Sequence, residues 1–343
     1  MENKFYDHFA NLNYLVLEAN STCNLRCRFC PRQSLVEVGK RPLKIMTLDE
    51  YRSVLEQLKD CPLDAIKVHG LSEAMMVQNF DEYLKLIREY FPDVNITLVT
   101  NNQYKLDRSP LLRCIPLVDS VWLSIDGVGE TLEYLRTGAK WERTLQFLED
   151  LSQQVPEEVR KTKFHIQATI STINFREVPK IYELKEKYGL NSVRYNLAQE
   201  WKGEKVSEHD HGDNEEMIEF LKPFKEGLKG CAGWEFKDCF WPYEGIFIDA
   251  YGDVRHCIMN YTMEPIGNVF EGSIKTIYNE NPAYVNARKS LAKNCPPDQC
   301  ETCDYRHISA TLKKIHGVDH FNPPKIAKFV QEQRQLERNH TQK

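Results

Sequence analysis

The chain has 343 residues, 41% of them hydrophobic and 28% charged. That suits about two domains, or one barrel-sized domain with an appendage, and excludes global disorder. Acidic residues exceed basic ones by 50 to 45, for a net charge of −5. Phosphate binding calls for a basic face, so this balance argues against nucleic acid as the main partner. No apolar run reaches the ~18 residues of a membrane span. Met1-Glu2-Asn3-Lys4 lacks the basic-then-apolar layout of a secretory signal, so the expected location is cytoplasmic, with no membrane partner.

After an N-terminal segment, 1–11, the stretch 12–210 alternates β-rich runs with longer amphipathic ones. The runs are Leu12–Ala19, Ala65–Gly70, Asn95–Asn101, Ser120–Asp126, Phe164–Ile170 and Ser192–Leu197. Thr47-Leu48-Asp49-Glu50 offers a capping box ahead of Tyr51–Leu58. Further helical periods cover Phe80–Tyr90, Trp141–Leu151 and Val178–Tyr188. Strands each followed by a helix imply parallel pairing and right-handed crossovers, an α/β fold. Polar and glycine residues stand at the strand ends: Glu18 and Asn20, His69 and Gly70, Asn101 and Asn102, Asp126 and Gly127. In parallel α/β folds that end carries the chemistry, so the pattern fits a partial (β/α)6 TIM-like barrel; taken singly, each such residue also serves simply to turn the chain.

A linker and helix are expected over 211–230, the helix being Glu215–Lys229, after a polar stretch containing His209-Asp210-His211-Gly212-Asp213. That run could ligate a metal, but with nothing apolar nearby to organise a site it reads rather as a solvated loop. A small cysteine-rich domain follows over 231–310, and 311–343 is a charged tail with helical period from Pro323.

The 11 cysteines are a high count for an intracellular chain, and they cluster. In reducing compartments clustering points to metal rather than disulfides. Cys23-Asn24-Leu25-Arg26-Cys27-Arg28-Phe29-Cys30 is Cys-x3-Cys-x2-Cys, directly after the first strand. Three thiolates on one loop can hold three irons of a cubane [4Fe–4S] cluster, leaving the fourth iron to a non-protein ligand. Structural zinc would want a fourth ligand close by. The motif, with Phe29 before the last cysteine, resembles the signature of the radical S-adenosylmethionine (radical SAM) superfamily.

That resemblance extends downstream. Gly70-Leu71-Ser72-Glu73-Ala74 is similar to the family's Gly-Gly-Glu-Pro, with Ser72 and Ala74 departing from it. It implies that Glu73 accepts from the methionine amino group, with the backbone of Gly70 to Ser72 beside it. Ser124 and Arg136 resemble residues that grip the methionine carboxylate and ribose; a helix cap and a surface salt bridge are their plainer roles. Val193 to Leu197 is similar to the backbone stretch that meets adenine. The implied chemistry is reductive cleavage of S-adenosylmethionine to a 5′-deoxyadenosyl radical, fed by a flavodoxin- or ferredoxin-type electron donor.

Cys239 and Cys257 bracket Gly252 as Cys-x12-Gly-x4-Cys around a hairpin-like stretch, and Cys300-Glu301-Thr302-Cys303 closes the region. This is similar to the auxiliary-cluster domains called SPASM and, when shortened, twitch. The twitch form implies one auxiliary [4Fe–4S] cluster on Cys239, Cys257, Cys300 and Cys303, on a β-hairpin plus helix. Read alone, these four cysteines would suit a zinc ribbon. Cys231 and Cys295 are left over, as substitute ligands, buried thiols or hydrogen-atom donors. The spacing resembles that of a twitch dehydrogenase acting on an amino-cyclitol alcohol, which implies dehydrogenation or epimerisation at a carbinol carbon of a carbohydrate or cyclitol. A peptide-modifying enzyme and a non-enzymatic zinc or iron–sulfur scaffold are the alternatives.

Overall fold

The computed structural model describes residues 7–104, 107–198, 214–228, 239–292, 300, 311 and 314–316. The polar run around His209, the tail from Pro323, and Cys231, Cys295 and Cys303 lie outside these residues. Six strands run parallel in sequence order: β1 (Tyr14–Leu17), β2 (Ala65–Val68), β3 (Asn95–Thr100), β4 (Ser120–Ser124), β5 (Phe164–Ile170) and β6 (Ser192–Leu197). Helices join them, and the sheet stays open, as expected of a partial α/β barrel. Beyond β1 it continues through β7 (Gly245–Ile248), β8 (Asp253–Arg255) and β9 (Gly267–Asn268), making nine strands among the described residues.

The strands alternate sharply. On the outer face Leu15, Leu17, Ile66, Val68, Ile96, Leu98, Val121, Leu123, Ile166 and Ile170 are sealed from solvent. They share one core with Val54, Leu55 and Leu58 of the helix Leu48–Leu58, Leu84 and Ile87 of Phe80–Tyr90, and Phe147 and Leu148 of Trp141–Gln154. Each such side chain contributes on the order of 1.5–3 kcal/mol through burial. The inner face of β2, β4, β5 and β6 is partly exposed and polar, carrying Lys67, Ser124, Gln167, Arg194 and Asn196.

The capping box forms: Glu50 N–H donates to Thr47 Oγ1 at 3.1 Å, and Thr47 N–H to the Glu50 carboxylate at 2.7 Å. The helix expected over Glu215–Lys229 instead stops at Leu221 and tightens into a 3-10 turn, Lys222–Gly227. Pro223 explains this, because its ring removes a backbone donor and crowds the carbonyl four residues back.

The expected hairpin is present, with Gly252 at φ +82° turning it and Asp249 accepting from the N–H groups of Tyr251 and Asp253 at 3.0 and 3.1 Å. Its first strand, β7, also lies parallel beside β1, Tyr14 opposite Gly245 and Leu17 opposite Ile248. A buried polar knot secures the junction. Glu18, 0% exposed, accepts from Arg41 Nη2 at 2.7 Å and from the Tyr261 hydroxyl at 2.5 Å, and Arg41 also donates to Tyr261. Gly70 makes room for it: a Cβ there would stand 2.3 Å from the Glu18 carboxylate. Arg41→Met should therefore cost about 3–5 kcal/mol, by leaving a buried carboxylate without its counter-charge. Urea unfolding checks this, and Glu18→Gln added to Arg41→Met should restore part of the loss.

Candidate active site

The loop carrying Cys23, Cys27 and Cys30 leaves the top of β1 and is pinned along both sides. Ser21 N–H donates to Lys44 O at 2.8 Å and Met46 N–H to Ala19 O at 2.9 Å; Arg26 and Arg28 N–H donate to Thr137 and Leu135 carbonyls, each at 2.9 Å. The three thiols are unbridged. Burial pushes Cys23 up to about 11, with the charge of Glu73 adding to the effect, and burial raises Cys27 and Cys30 as well. Thiols so held keep their protons until a metal centre takes them. Among the described residues no three His, Cys, Asp or Glu side chains already converge as one metal ion would require. A cubane cluster places each ligand on a separate iron, so three spaced thiols on one pinned loop fit a cluster better than a single ion.

Glu73 stands beside this loop, 2% exposed. Its carboxylate accepts from Thr100 Oγ1 at 2.8 Å, Asn101 N–H at 2.6 Å and Met75 N–H at 3.1 Å. Burial pushes its pKa up to about 7, and those donors pull it back only in part. Asn101 ties the pieces together, its Nδ2 reaching Asn24 Oδ1 at 2.9 Å and Cys23 Sγ at 3.7 Å. The structure thus gathers Cys23, Cys27, Cys30, Gly70 and Glu73 at one end of the sheet.

Arg136 is not on the surface: its Nε lies 2.6 Å from Asp126 Oδ2, both side chains are buried, and the guanidinium stands 5.5 Å from the Phe29 ring centroid. Ser124 is on the inner face opposite Gln167, its carbonyl accepting from Asn102 Nδ2 at 3.4 Å. Ser72 is partly exposed beside Glu73. Val193 and Leu197 point outward into the helix-covered core, so that stretch presents only its backbone and the side chains of Arg194 and Asn196 inward.

The hairpin sends Cys239 and Cys257 to the opposite end of the sheet. Arg255 pairs with Phe247 in antiparallel register, which sets Cys257 level with the start of β7, and Cys239 directly precedes the turn Trp241–Glu244 that leads into β7. Cys300 is partly exposed. Cys61 and Cys114 are buried thiols in the helix-covered core.

A family model for the radical SAM superfamily matches residues 18–197, and one for the SPASM iron–sulfur cluster-binding domain matches residues 239–304. The chain belongs to the radical SAM superfamily. Its two domains bring two [4Fe–4S] clusters and S-adenosylmethionine. Among curated relatives, GTP 3',8-cyclase of a Sulfurovum species is 27% identical over 95 residues, 27% of this chain and 28% of that one. The subtilosin biosynthesis protein AlbA of Bacillus subtilis is 20% identical over 85% of this chain and 66% of its own. Both are matched over less than two thirds of their length. Among solved structures, Streptococcus suis SuiB bound to S-adenosylmethionine has a TM-score of 0.65 at 16% identity, covering 93% of this chain and 78% of SuiB. BtrN in complex with AdoMet and 2-DOIA has a TM-score of 0.51 at 16% identity, covering 85% and 93%.

Several residues of this radical SAM site escaped the sequence reading. Thr100 and Asn101, the donors that hold Glu73, carried no signal beyond a strand end. Arg41 and Tyr261 reach Glu18 from distant loops that no local pattern links.

The titration of Glu73 is testable in protein without S-adenosylmethionine. Below pH 4.5, its ordinary value, the group is protonated folded or unfolded. From there to about 7 the folded state binds more protons, so stability falls as pH rises, and above 7 the full penalty remains. Asp249 and Glu244 act in the same direction, so the comparison is with Glu73→Gln. The difference between the two proteins in urea unfolding should change by up to about 3 kcal/mol between pH 5 and pH 8.

Proposed function

We propose that Cys23, Cys27 and Cys30 ligate the S-adenosylmethionine-binding cluster and that Cys239, Cys257, Cys300 and Cys303 ligate the auxiliary one. When bound, the first cluster supplies an electron to S-adenosylmethionine, releasing methionine and a radical that removes a substrate hydrogen atom. Glu73 accepts from the methionine amino group, an N–H donor that favours the ionised form of a carboxyl whose pKa burial has raised to about 7. Gly70 to Ser72 offer backbone beside it. Asp126 orients Arg136 and leaves its remaining N–H groups for the carboxylate, while Ser124 takes a hydroxyl and the Val193–Leu197 backbone meets adenine. Phe29 backs the guanidinium.

The reaction proposed is dehydrogenation or epimerisation at a carbinol carbon of a hydroxylated small molecule. The observation that supports it is that the Cys23–Cys30 loop follows one end of β1 while Cys239 and Cys257 stand at the other end of β7, beside the polar inner face of β2 and of β4 to β6. β1 alone spans roughly 13 Å at about 3.3 Å per residue. A substrate on that face would lie between the radical source and the auxiliary cluster: its C–H hydrogen would leave to the radical, its hydroxyl proton to a base, and the cluster held by the second cysteine set would accept the remaining electron. In the epimerising variant, Cys231 or Cys295 would instead return a hydrogen atom to the carbon, and the thiyl radical left behind would be restored by one electron from the donor protein and one proton from solvent. A flavodoxin- or ferredoxin-type protein supplies the first electron.

Peptide modification is the second reading. It is favoured by the likeness to AlbA, to SuiB bound to its precursor peptide SuiA (TM-score 0.63), and to anSMEcpe bound to the Cp18Cys peptide (TM-score 0.63).

Anaerobically reconstituted protein should hold about eight irons and eight sulfides, and form methionine and 5′-deoxyadenosine once reduced. With Cys23, Cys27 and Cys30 all changed to Ala, about four irons should remain and cleavage should stop. Retention of all the iron in that variant, or zinc in place of iron, would contradict the ligand assignment.

A further inference from the structure

We propose that the inner face of the sheet holds an anion-binding subsite, made by Lys67, Trp122 and Arg194, that takes the phosphoryl or carboxylate group of a hydroxylated small-molecule substrate. This rests on the radical SAM reading of the site and names the substrate class within it.

Three strands contribute. Lys67 on β2 brings Nζ to 4.2 Å from the Trp122 ring centroid on β4, and Arg194 on β6 brings its guanidinium carbon to 5.1 Å. Neighbouring strands lie about 4.8 Å apart, so in a flat sheet β2 and β6 would stand about 19 Å apart. Curvature of the sheet turns both cations onto one indole in its concave interior. Among the described residues neither cation has a carboxylate within ion-pair distance, although other inward-turned arginines do: Arg41 has Glu18, Arg136 has Asp126 and Arg255 has Asp249. Two further buried arginines, Arg160 and Arg288, also lack a carboxylate among the described residues, but they donate to backbone carbonyls instead.

The two cations act on each other and on their neighbours. Burial, and then Arg194, lowers Lys67 to about 8; burial and Lys67 lower His69 to about 3; burial and Arg194 lower His165 to about 4. Both imidazoles are neutral at physiological pH, so the excess positive charge belongs to Lys67 and Arg194. An aromatic face softens such charges without neutralising them. Two unmet hydrogen-bonding atoms sharpen the picture. Among the described residues, Trp122 Nε1–H is buried without an acceptor, and Gln167 Oε1, on the residue in register with Arg194, is buried without a donor. Buried polar atoms are nearly always paired in a working protein. Ammonium, guanidinium and indole N–H are donors to anionic oxygens; the Gln167 oxygen accepts from a hydroxyl. The complement of this set is an anion that also bears a hydroxyl.

The test uses cluster-loaded protein with S-adenosylmethionine, titrated anaerobically with glycerol 3-phosphate, with glycerate and with neutral glycerol at matched ionic strength. One of the two anions should bind saturably, at least about tenfold tighter than glycerol, and the tighter one distinguishes a phosphoryl from a carboxylate preference. Lys67→Met and Arg194→Met should each weaken that binding about tenfold or more, while Lys67→Arg should retain most of it. No anion binding tighter than glycerol, or undiminished binding in both Met variants, would overturn the proposal. Formation of 5′-deoxyadenosine by the unaltered protein is measured on the same preparations. If it occurs without anion binding, this inference alone fails; if it does not occur, the reading beneath it fails.

Discussion

The structure depends on a sheet whose two faces obey opposite rules. Parallel sheets are usually covered on both faces by apolar packing. Here the outer face of β1 to β6 is treated that way, and so is the inner face of β1, where Val16 packs with Phe247, Leu35 and Leu71. The inner face of β2 and of β4 to β6 alternates into lysine, arginine, glutamine, serine and asparagine. A face of that composition would be a liability in a packed core, because polar groups lose water without gaining partners. It makes sense as the wall of a ligand chamber, and the thiol loop at one end of the sheet with Cys239 and Cys257 at the other fits the same use.

Around this chamber the buried charges fall into two kinds. Glu18 with Arg41 and Tyr261, and Asp126 with Arg136, are closed pairs that lock loops to the strand ends. Glu73 belongs to the second kind. Its three donors are all neutral groups, so no fixed cation holds it ionised at close range, and burial leaves it near neutrality. A carboxyl prepared in this way responds to an arriving N–H donor, as a carboxylate already salt-bridged would not.

Much of this was legible from residues alone. The six strands and their order followed from alternation and connection length, and β5 and β6 have the expected bounds because β-branched and aromatic residues fill them between turn-forming flanks. The thiol loop and Glu73 were legible because their chemistry is carried by short, contiguous spacing. What escaped was set by long-range geometry. The pairing of β7 with β1 joins residues more than two hundred positions apart, and Tyr261 meets Glu18 across 243 positions. The meeting of Lys67, Trp122 and Arg194 depends on sheet curvature, which no strand encodes by itself. Only the alternation in Ala65-Ile66-Lys67-Val68 and Ser120-Val121-Trp122-Leu123-Ser124 hinted that one face was wet.

The central claim is that the cluster on the Cys23–Cys30 loop leaves one iron open to the amino group of S-adenosylmethionine. Electron–nuclear double resonance on the reduced protein, with S-adenosylmethionine carrying a nitrogen-15 amino group, measures that bond. Strong hyperfine coupling to the labelled nitrogen, lost when Cys23, Cys27 and Cys30 are replaced by Ala, is the result this account predicts. A reduced cluster signal with no nitrogen coupling at saturating S-adenosylmethionine would contradict it.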